Sequence, residues 1–302
     1  MPKILVTDRI HRKGIEELSK LGEVQVKLGL KGAELLKEVA DAEVLVVRSA
    51  TKVTKEVIEA GRKLRIIARA GAGLDNIDVQ AAQERGVKVL NAPESVRVAV
   101  AELTMGLMLS WCRHISRADR GMKEGRWEKS ALMGRELKGK ALGLVGVGGI
   151  GLEVAKRARA FEMMLLGCDP VKRQEFLDLG GKYVELDELL KQSDFVSLHV
   201  PLNPSTKGMI GERELRLMKP TAVLVNTARG PVVQEEALLR ALREGWIAGA
   251  CLDVYWEEPL GGHPLTQLPN VLLTPHLGAS TEEAQLKAAL IIADKIRKEL
   301  GQ

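Results

Sequence analysis

The sequence predicts an α/β protein with two doubly wound parallel-sheet domains, and three observations carry that reading. Ten short apolar runs, at 4–6, 44–47, 66–68, 87–90, 141–145, 163–167, 195–198, 222–225, 249–252 and 271–273, alternate with helical stretches. Such alternation belongs to parallel sheets covered by helices on both faces. Ten strands are too many for one half-size sheet, and 302 residues leave room for two domains of roughly 150 residues each. A glycine-rich turn follows the run at 141–145 and opens directly into a helical pattern.

The break between the sheets falls after Asn91-Ala92-Pro93, because 95–115 repeats apolar residues at helical spacing (Ala99, Ala101, Leu103, Met105, Leu107, Met108) where another strand would otherwise come. The polar, strand-free segment 116–138 is too long for a plain connection, and with Trp127 in it reads as a docking arm.

Bulk properties narrow the class of function. With 45% hydrophobic and 28% charged residues the chain is neither disordered nor fibrous, and with 3% aromatics its core must be aliphatic. The net charge of +5 comes from 45 basic and 40 acidic residues that are interspersed, so a small anionic ligand suits the chain better than nucleic acid. Cys112, Cys168 and Cys251 are odd in number, widely spaced and without metal-ligand spacing, which argues against a disulfide scaffold or a zinc site and for a reducing cytoplasm. Neither a signal peptide nor a run of about 18 apolar residues is present, so no membrane association is expected.

The turn reads Gly146-Val147-Gly148-Gly149-Ile150-Gly151. A GxGxxG pattern alone says little, but between a strand and a helix its glycines permit a tight turn, close backbone approach to a pyrophosphate, and helix–strand packing. The helix N-terminus adds N–H groups and partial positive charge. Asp169, eighteen residues beyond Gly151 at the end of the next strand, stands where a carboxylate would bind an adenosine ribose and repel a 2'-phosphate. NAD is therefore expected over NADP, although Lys172 and Arg173 lie nearby.

Ligands of open parallel sheets sit beyond the carboxyl ends of the strands, which directs attention to Arg229, Glu258 and His276. Oxidising a secondary alcohol requires a base for the hydroxyl proton, and imidazole is the side chain best suited to that exchange, which points to His276. A carboxylate such as Glu258 on the far ring nitrogen would orient the ring and stabilise its charged form. Arg229 would hold a substrate carboxylate through a bidentate pair. Taken singly, each is as readily a capping or surface ion-pair residue; together at successive strand ends they point to catalysis. His199, also just past a strand, is a rival for His276 but has no accompanying carboxylate pattern, whereas His11, His114 and His263 read as surface or packing residues.

The motifs NTARGPVV (226–233), LDVYWEEP (252–259) and TPHLGAST (274–281), with the glycine fingerprint before them, resemble the D-2-hydroxyacid dehydrogenases over nearly the whole chain. VVRSATKVT (46–54), ARAGAGLDNID (68–78) and AELT (101–104) are most similar to the branch that oxidises 3-phospho-D-glycerate to 3-phosphohydroxypyruvate, the first step of phosphorylated serine biosynthesis. The resemblance implies that Arg229, Glu258 and His276 form the catalytic set. It implies cofactor contacts from Gly149, Ile150, Asp169, Val200, Pro201, Thr206, Thr227, Ala228, Asp253, Gly278 and Ala279, besides Gly146, Gly148 and Gly151. Arg48, Ser49, Arg69 and Gly71 would face the substrate, the two arginines answering the extra charge of a phosphate. Lys129 matches a position on a dimer arm that reaches a partner's active site, which would make it a further substrate-binding residue.

The implied architecture is a discontinuous flavodoxin-like substrate domain, 1–93 with 278–302, around an inserted Rossmann-type NAD domain, 94–277, whose dimerisation arm spans about 95–138. A homodimer or homotetramer follows from the same likeness. Gly149 departs from the arginine usual inside the fingerprint. The chain stops at Gln302 directly after its last helix, so regulatory C-terminal domains and feedback control through them are not expected. Two rival functions stand beside this one: reduction of glyoxylate, hydroxypyruvate or another 2-keto acid within the same family, and an NAD-sensing binding protein of the corepressor type.

Overall fold

The computed structural model describes all 302 residues, and the chain divides into two compact units. The first comprises Met1–Arg97 and Ala279–Gln302. Its strands are β1 (Lys3–Val6), β2 (Glu23–Val26), β3 (Val44–Val47), β4 (Ile66–Arg69) and β5 (Lys88–Asn91), all parallel in the order β2-β1-β3-β4-β5. That is the flavodoxin order, with its reversal between β1 and β3. Successive side chains of a strand point to opposite faces, and both faces here meet helices. Leu5, Leu45, Val47 and Ile67 pack with Leu35, Val39 and Ile58. Ile4, Val6, Val44, Val46 and Ile66 pack with Leu18 and with Ala288, Ile292 and Ile296 of the helix Glu282–Glu299. Each fully buried Leu, Ile or Val contributes about 1.5–3 kcal/mol, so these two clusters are what sets the sheet.

The second unit, Val98–Gly278, holds β6 (Ala141–Val145), β7 (Met164–Cys168), β8 (Lys182–Tyr183), β9 (Phe195–Leu198), β10 (Val223–Asn226), β11 (Gly249–Leu252) and β12 (Val271–Leu273). They are parallel in the order β12-β11-β10-β9-β6-β7-β8. The reversal lies between β6 and β9, which is the dinucleotide-binding arrangement and puts a crevice beyond their carboxyl ends. Both faces are again covered: Leu142, Leu144, Val223 and Val225 belong to one cluster, Val145, Val196, Leu198 and Leu224 to the other.

Twelve strands stand where the sequence predicts ten. The two additions, β2 and β8, are edge strands: β2 (EVQV) is exposed at both ends and β8 has two residues. Neither carries a continuous apolar run, since β2 alternates Glu and Gln with valine and β8 is Lys-Tyr, so they leave no signature of that kind, whereas the edge strand β12 (VLL) does. The helix expected over 95–115 spans Arg97–Arg113 and breaks at His114, whose φ is +54°. A second helix, Ile115–Lys123, then occupies the start of the segment read as a polar arm. No helix is long and apolar enough to cross a membrane.

Candidate active site

The glycine turn follows β6 at the sheet's reversal, and each glycine of the pattern has its own physical reason. Gly146 has φ +94°, and a Cβ on it would sit 2.7 Å from the His199 carbonyl oxygen. A Cβ on Gly151 would sit 2.2 Å from the Gly146 carbonyl oxygen, so the helix Gly149–Ala160 can approach the strand only with glycine there. Beside Gly148 there is open space within 4 Å, and no side chain caps the helix. The N–H groups of its first turn, around Gly149 and Ile150, are therefore open to a phosphate. Asp169, after β7, accepts from Val147 N at 2.7 Å and Val171 N at 2.8 Å. Each carboxylate oxygen keeps a further lone pair for a ribose hydroxyl. This cradle fits a dinucleotide. Val200 and Pro201 follow β9, and Thr206 Oγ1 donates to the Pro201 carbonyl at 2.5 Å, closing that loop.

Arg229, Glu258 and His276 come from the ends of β10, β11 and β12, which are neighbours in the sheet. Buried Asn226 shapes the first turn: its amide donates to the Arg229 carbonyl at 2.9 Å and accepts from Ala228 N at 3.0 Å. The Arg229 Nη1 donates to the Ala228 carbonyl at 2.6 Å. Thr227 Oγ1 meets Thr104 Oγ1 at 3.1 Å. Glu258 accepts from Tyr255 N at 3.1 Å through Oε1, and its Oε2 lies 2.7 Å from His276 Nδ1. Nδ1 thus carries the proton shared with the carboxylate, which leaves Nε2 for exchange with a ligand. The His276 side chain is 47% exposed, so the ring is reachable.

His276 has φ +53°, a left-handed conformation uncommon for a residue with a Cβ. Asp253 sustains it. Its carboxylate, 1% exposed, accepts from Thr274 Oγ1 (2.6 Å), Leu277 N (2.7 Å) and Gly278 N (2.8 Å), clasping the turn from both sides of His276. Burial, and then the Asp253 charge, push the Tyr255 phenol up to about 12, so it stays a donor and reaches the Thr274 carbonyl at 2.8 Å. The likeness to known dehydrogenases implied a cofactor contact for Asp253; its place as organiser of the His276 turn was not legible. Gly278 closes the second unit and Ala279 opens the C-terminal segment of the first, where the Ala279 carbonyl accepts from Gln285 Nε2 at 2.9 Å.

His199, the rival imidazole, meets no carboxylate. Its Nε2 lies 2.9 Å from Ser197 Oγ, its Nδ1 is buried without a partner, and burial pushes its pKa down to about 4. An imidazole held neutral in this way is no proton donor near neutrality. The folded-state value lies below the 6.5 of an exposed imidazole, so between pH 6.5 and 4 the unfolded chain binds more protons and stability falls with acidification. Urea unfolding of the wild type at pH 7 and pH 5 should include a loss of about 2 kcal/mol that His199→Asn lacks. Equal losses in the two proteins would refute the assignment.

In the first unit, the loop after β3 is bracketed on both sides. Asp8 accepts from Arg48 N (2.6 Å), Thr51 N (3.1 Å) and Thr51 Oγ1 (2.6 Å), while the Asn76 amide donates to the carbonyls of Arg48 and Thr51, each at 2.7 Å. Arg69 Nε donates to the Arg48 backbone carbonyl at 3.3 Å, the Arg48 Nη1 donates to the Arg9 carbonyl at 3.2 Å, and Gly71 N donates to the Arg69 carbonyl at 2.8 Å. Ser49 is exposed on this loop. Asp8 and Asn76 were not singled out in the sequence, although Asp8 follows a strand as Arg229 does. Lys129 begins the short 3-10 turn Lys129–Leu132 and is exposed, as are Trp127 (78%) and Met133 (83%) beside it.

Residues 105–278 match the family described as D-isomer specific 2-hydroxyacid dehydrogenase, NAD binding domain, and the chain belongs to that family. NAD is its cofactor. Two curated relatives are similar over 99% of the chain: a D-3-phosphoglycerate dehydrogenase of Methanocaldococcus jannaschii, 51% identical, and a hydroxypyruvate reductase of Thermotoga maritima, 50% identical. The chain spans 58% of the first relative's length and 98% of the second's. Among solved structures, a glyoxylate reductase from Paecilomyes thermophila superposes with a TM-score of 0.89 at 36% identity, covering 100% of this chain and 96% of that one.

Proposed function

We propose that this protein is an NAD-dependent D-2-hydroxyacid dehydrogenase whose substrate is 3-phospho-D-glycerate, interconverted with 3-phosphohydroxypyruvate. The observation that carries the reading is the 2.7 Å pair between Glu258 Oε2 and His276 Nδ1, on strand ends adjacent to the one bearing Arg229. In the oxidative direction His276 Nε2 takes the proton of the C2 hydroxyl while Glu258 offsets the charge that the ring gains. In the reverse direction the imidazolium returns that proton to the C2 carbonyl oxygen. Arg229 forks onto the substrate carboxylate and fixes C2 in place. Gly146, Gly148, Gly149, Ile150, Gly151 and Asp169 hold the cofactor by its pyrophosphate and ribose. Bound NAD supplies the redox chemistry, taking up two electrons as hydride when the alcohol is oxidised.

The choice of a phosphorylated substrate rests on Arg48 and Arg69, two guanidinium groups on one bracketed loop system. Burial lowers the pKa of Arg48 against the raising influence of Asp8, a desolvation that a phosphate dianion would offset. Similarity to the Thermotoga hydroxypyruvate reductase supports a second reading, reduction of an unphosphorylated 2-keto acid.

NADH consumption with phosphohydroxypyruvate, hydroxypyruvate, glyoxylate and pyruvate separates the two. We expect kcat/KM for phosphohydroxypyruvate to exceed that for hydroxypyruvate by about 10- to 100-fold, the worth of one hydrogen bond to a charged group. Arg48→Ala should erase most of that ratio. A wild-type ratio near one, or a ratio that survives Arg48→Ala, would favour the second reading.

A further inference from the structure

Beside the Glu258–His276 pair the second unit contains another carboxylate–imidazole pair that the mechanism does not use. His263 Nε2 lies 2.6 Å from Glu235 Oε1. The His263 Nδ1 accepts from Leu265 N at 3.2 Å, so the ring proton is on Nε2 and the ring donates to Glu235. The His263 side chain is 16% exposed, and its ring stacks on Trp256 with centroids 6.1 Å apart and planes at 17°. Trp256 Nε1 in turn donates to the Val233 carbonyl at 2.7 Å.

These contacts join two particular segments. Val233 and Glu235 lie just past Arg229 on the chain leaving β10; Trp256 and His263 flank Glu258 on the chain leaving β11. The backbones also press together, since a Cβ on Gly230 would sit 2.1 Å from the Tyr255 carbonyl carbon. The segment 256–263 is thus tied at both ends to the segment 233–235, with Glu258 inside it. Glu258 needs the ties. Its side chain is 38% exposed, and besides His276 it is bonded to the Tyr255 N–H of the same loop. A solvated carboxylate on an untethered loop would divide its time among many positions, and the loop's conformational entropy would oppose the one that meets His276.

We propose that Glu235 and His263 are positioning residues for the reaction, holding the 256–263 segment so that Glu258 stays on His276 and in register with Arg229. The inference rests on the reading of Glu258 as the partner of the proton-transferring imidazole. The two side chains act as hydrogen-bond acceptor and donor, and Glu235 acts through Glu258 alone.

The test is a double-mutant cycle on the full chain, with kcat and KM measured separately and melting temperature as a check on folding. Glu235→Ala is expected to lower kcat about tenfold with the keto-acid KM within about twofold, the scale of a small misplacement in a catalytic constellation. Glu235→Gln, which keeps the acceptor for His263, should restore most of that loss. Adding Glu235→Ala to Glu258→Gln should cost nothing further, because the group it positions is already gone.

If Glu235→Ala lowers kcat equally in the wild-type and Glu258→Gln backgrounds, or leaves kcat unchanged, the inference is overturned. If Glu258→Gln itself has no effect, the reading of the catalytic pair fails instead, a distinguishable outcome. Should Glu235→Ala not fold, Trp256→Phe, which removes the bond to Val233 and part of the ring stacked on His263, replaces it in the same cycle with the same criteria.

Discussion

Replacing His276 by alanine should lower kcat for keto-acid reduction by about 10³-fold while cofactor affinity, read by NADH fluorescence, stays within a few-fold of the wild type. The ring is held by Glu258 at 2.7 Å through Nδ1, which leaves its other nitrogen for substrate, whereas the Nε2 of His263 is taken by Glu235. The neighbouring turn, clasped by Asp253, does not depend on the ring. One complication has its own control. The φ of +53° is tolerated better by asparagine than by alanine, so His276→Ala should also cost about 1 kcal/mol of stability and His276→Asn less. Both variants should be equally inactive. Activity retained in His276→Asn would mean that backbone geometry rather than proton transfer is what the residue contributes.

The second large effect is expected at Arg229. Its guanidinium donates to the Ala228 carbonyl at 2.6 Å and its backbone is held by Asn226, so the side chain is restrained before substrate arrives. Arg229→Ala removes the bidentate grip on the substrate carboxylate and, with it, the alignment of C2. Two charge-assisted hydrogen bonds at about 1.5–3 kcal/mol each imply a fall in kcat/KM of about 10²- to 10⁴-fold, expressed in both KM and kcat. Arg229→Lys should recover a minor part, since an ammonium restores charge without the planar fork. Steady-state kinetics over a wide keto-acid range gives the answer; a KM unchanged in Arg229→Ala would remove the residue from substrate binding.

What was legible in the sequence follows a physical division. The fingerprint could be read because its glycines answer local demands: Gly146 needs a positive φ, and Gly151 must admit a carbonyl oxygen at a distance no side chain allows. The central strands could be read because burial on both faces writes an unbroken apolar run, and the strand-end rule then pointed to Arg229, Glu258 and His276. β2 and β8 could not, because EVQV and the two residues Lys-Tyr contain no such run. The helix Ile115–Lys123 was hidden in a stretch whose polar residues dominate.

Roles that depend on distant partners were likewise out of reach. Asp8 acts on Thr51, 43 residues away, and Asp253 on Leu277, 24 away; no local spacing announces either. The choice between His199 and His276 was of this kind too. Both follow strands, and only the folded chain distinguishes an imidazole buried beside Ser197 from one set against Glu258.

The central claim is that His276, steered by Glu258, exchanges a proton with the oxygen on C2. The most direct measurement is a crystal structure of the wild-type protein with NAD and a non-reacting 2-hydroxy-acid analogue. The account predicts His276 Nε2 about 3 Å from the C2 oxygen, with Nδ1 still bonded to Glu258 and Arg229 forked on the carboxylate. A C2 oxygen bonded to some other acid–base group, with the ring of His276 turned away, would contradict it.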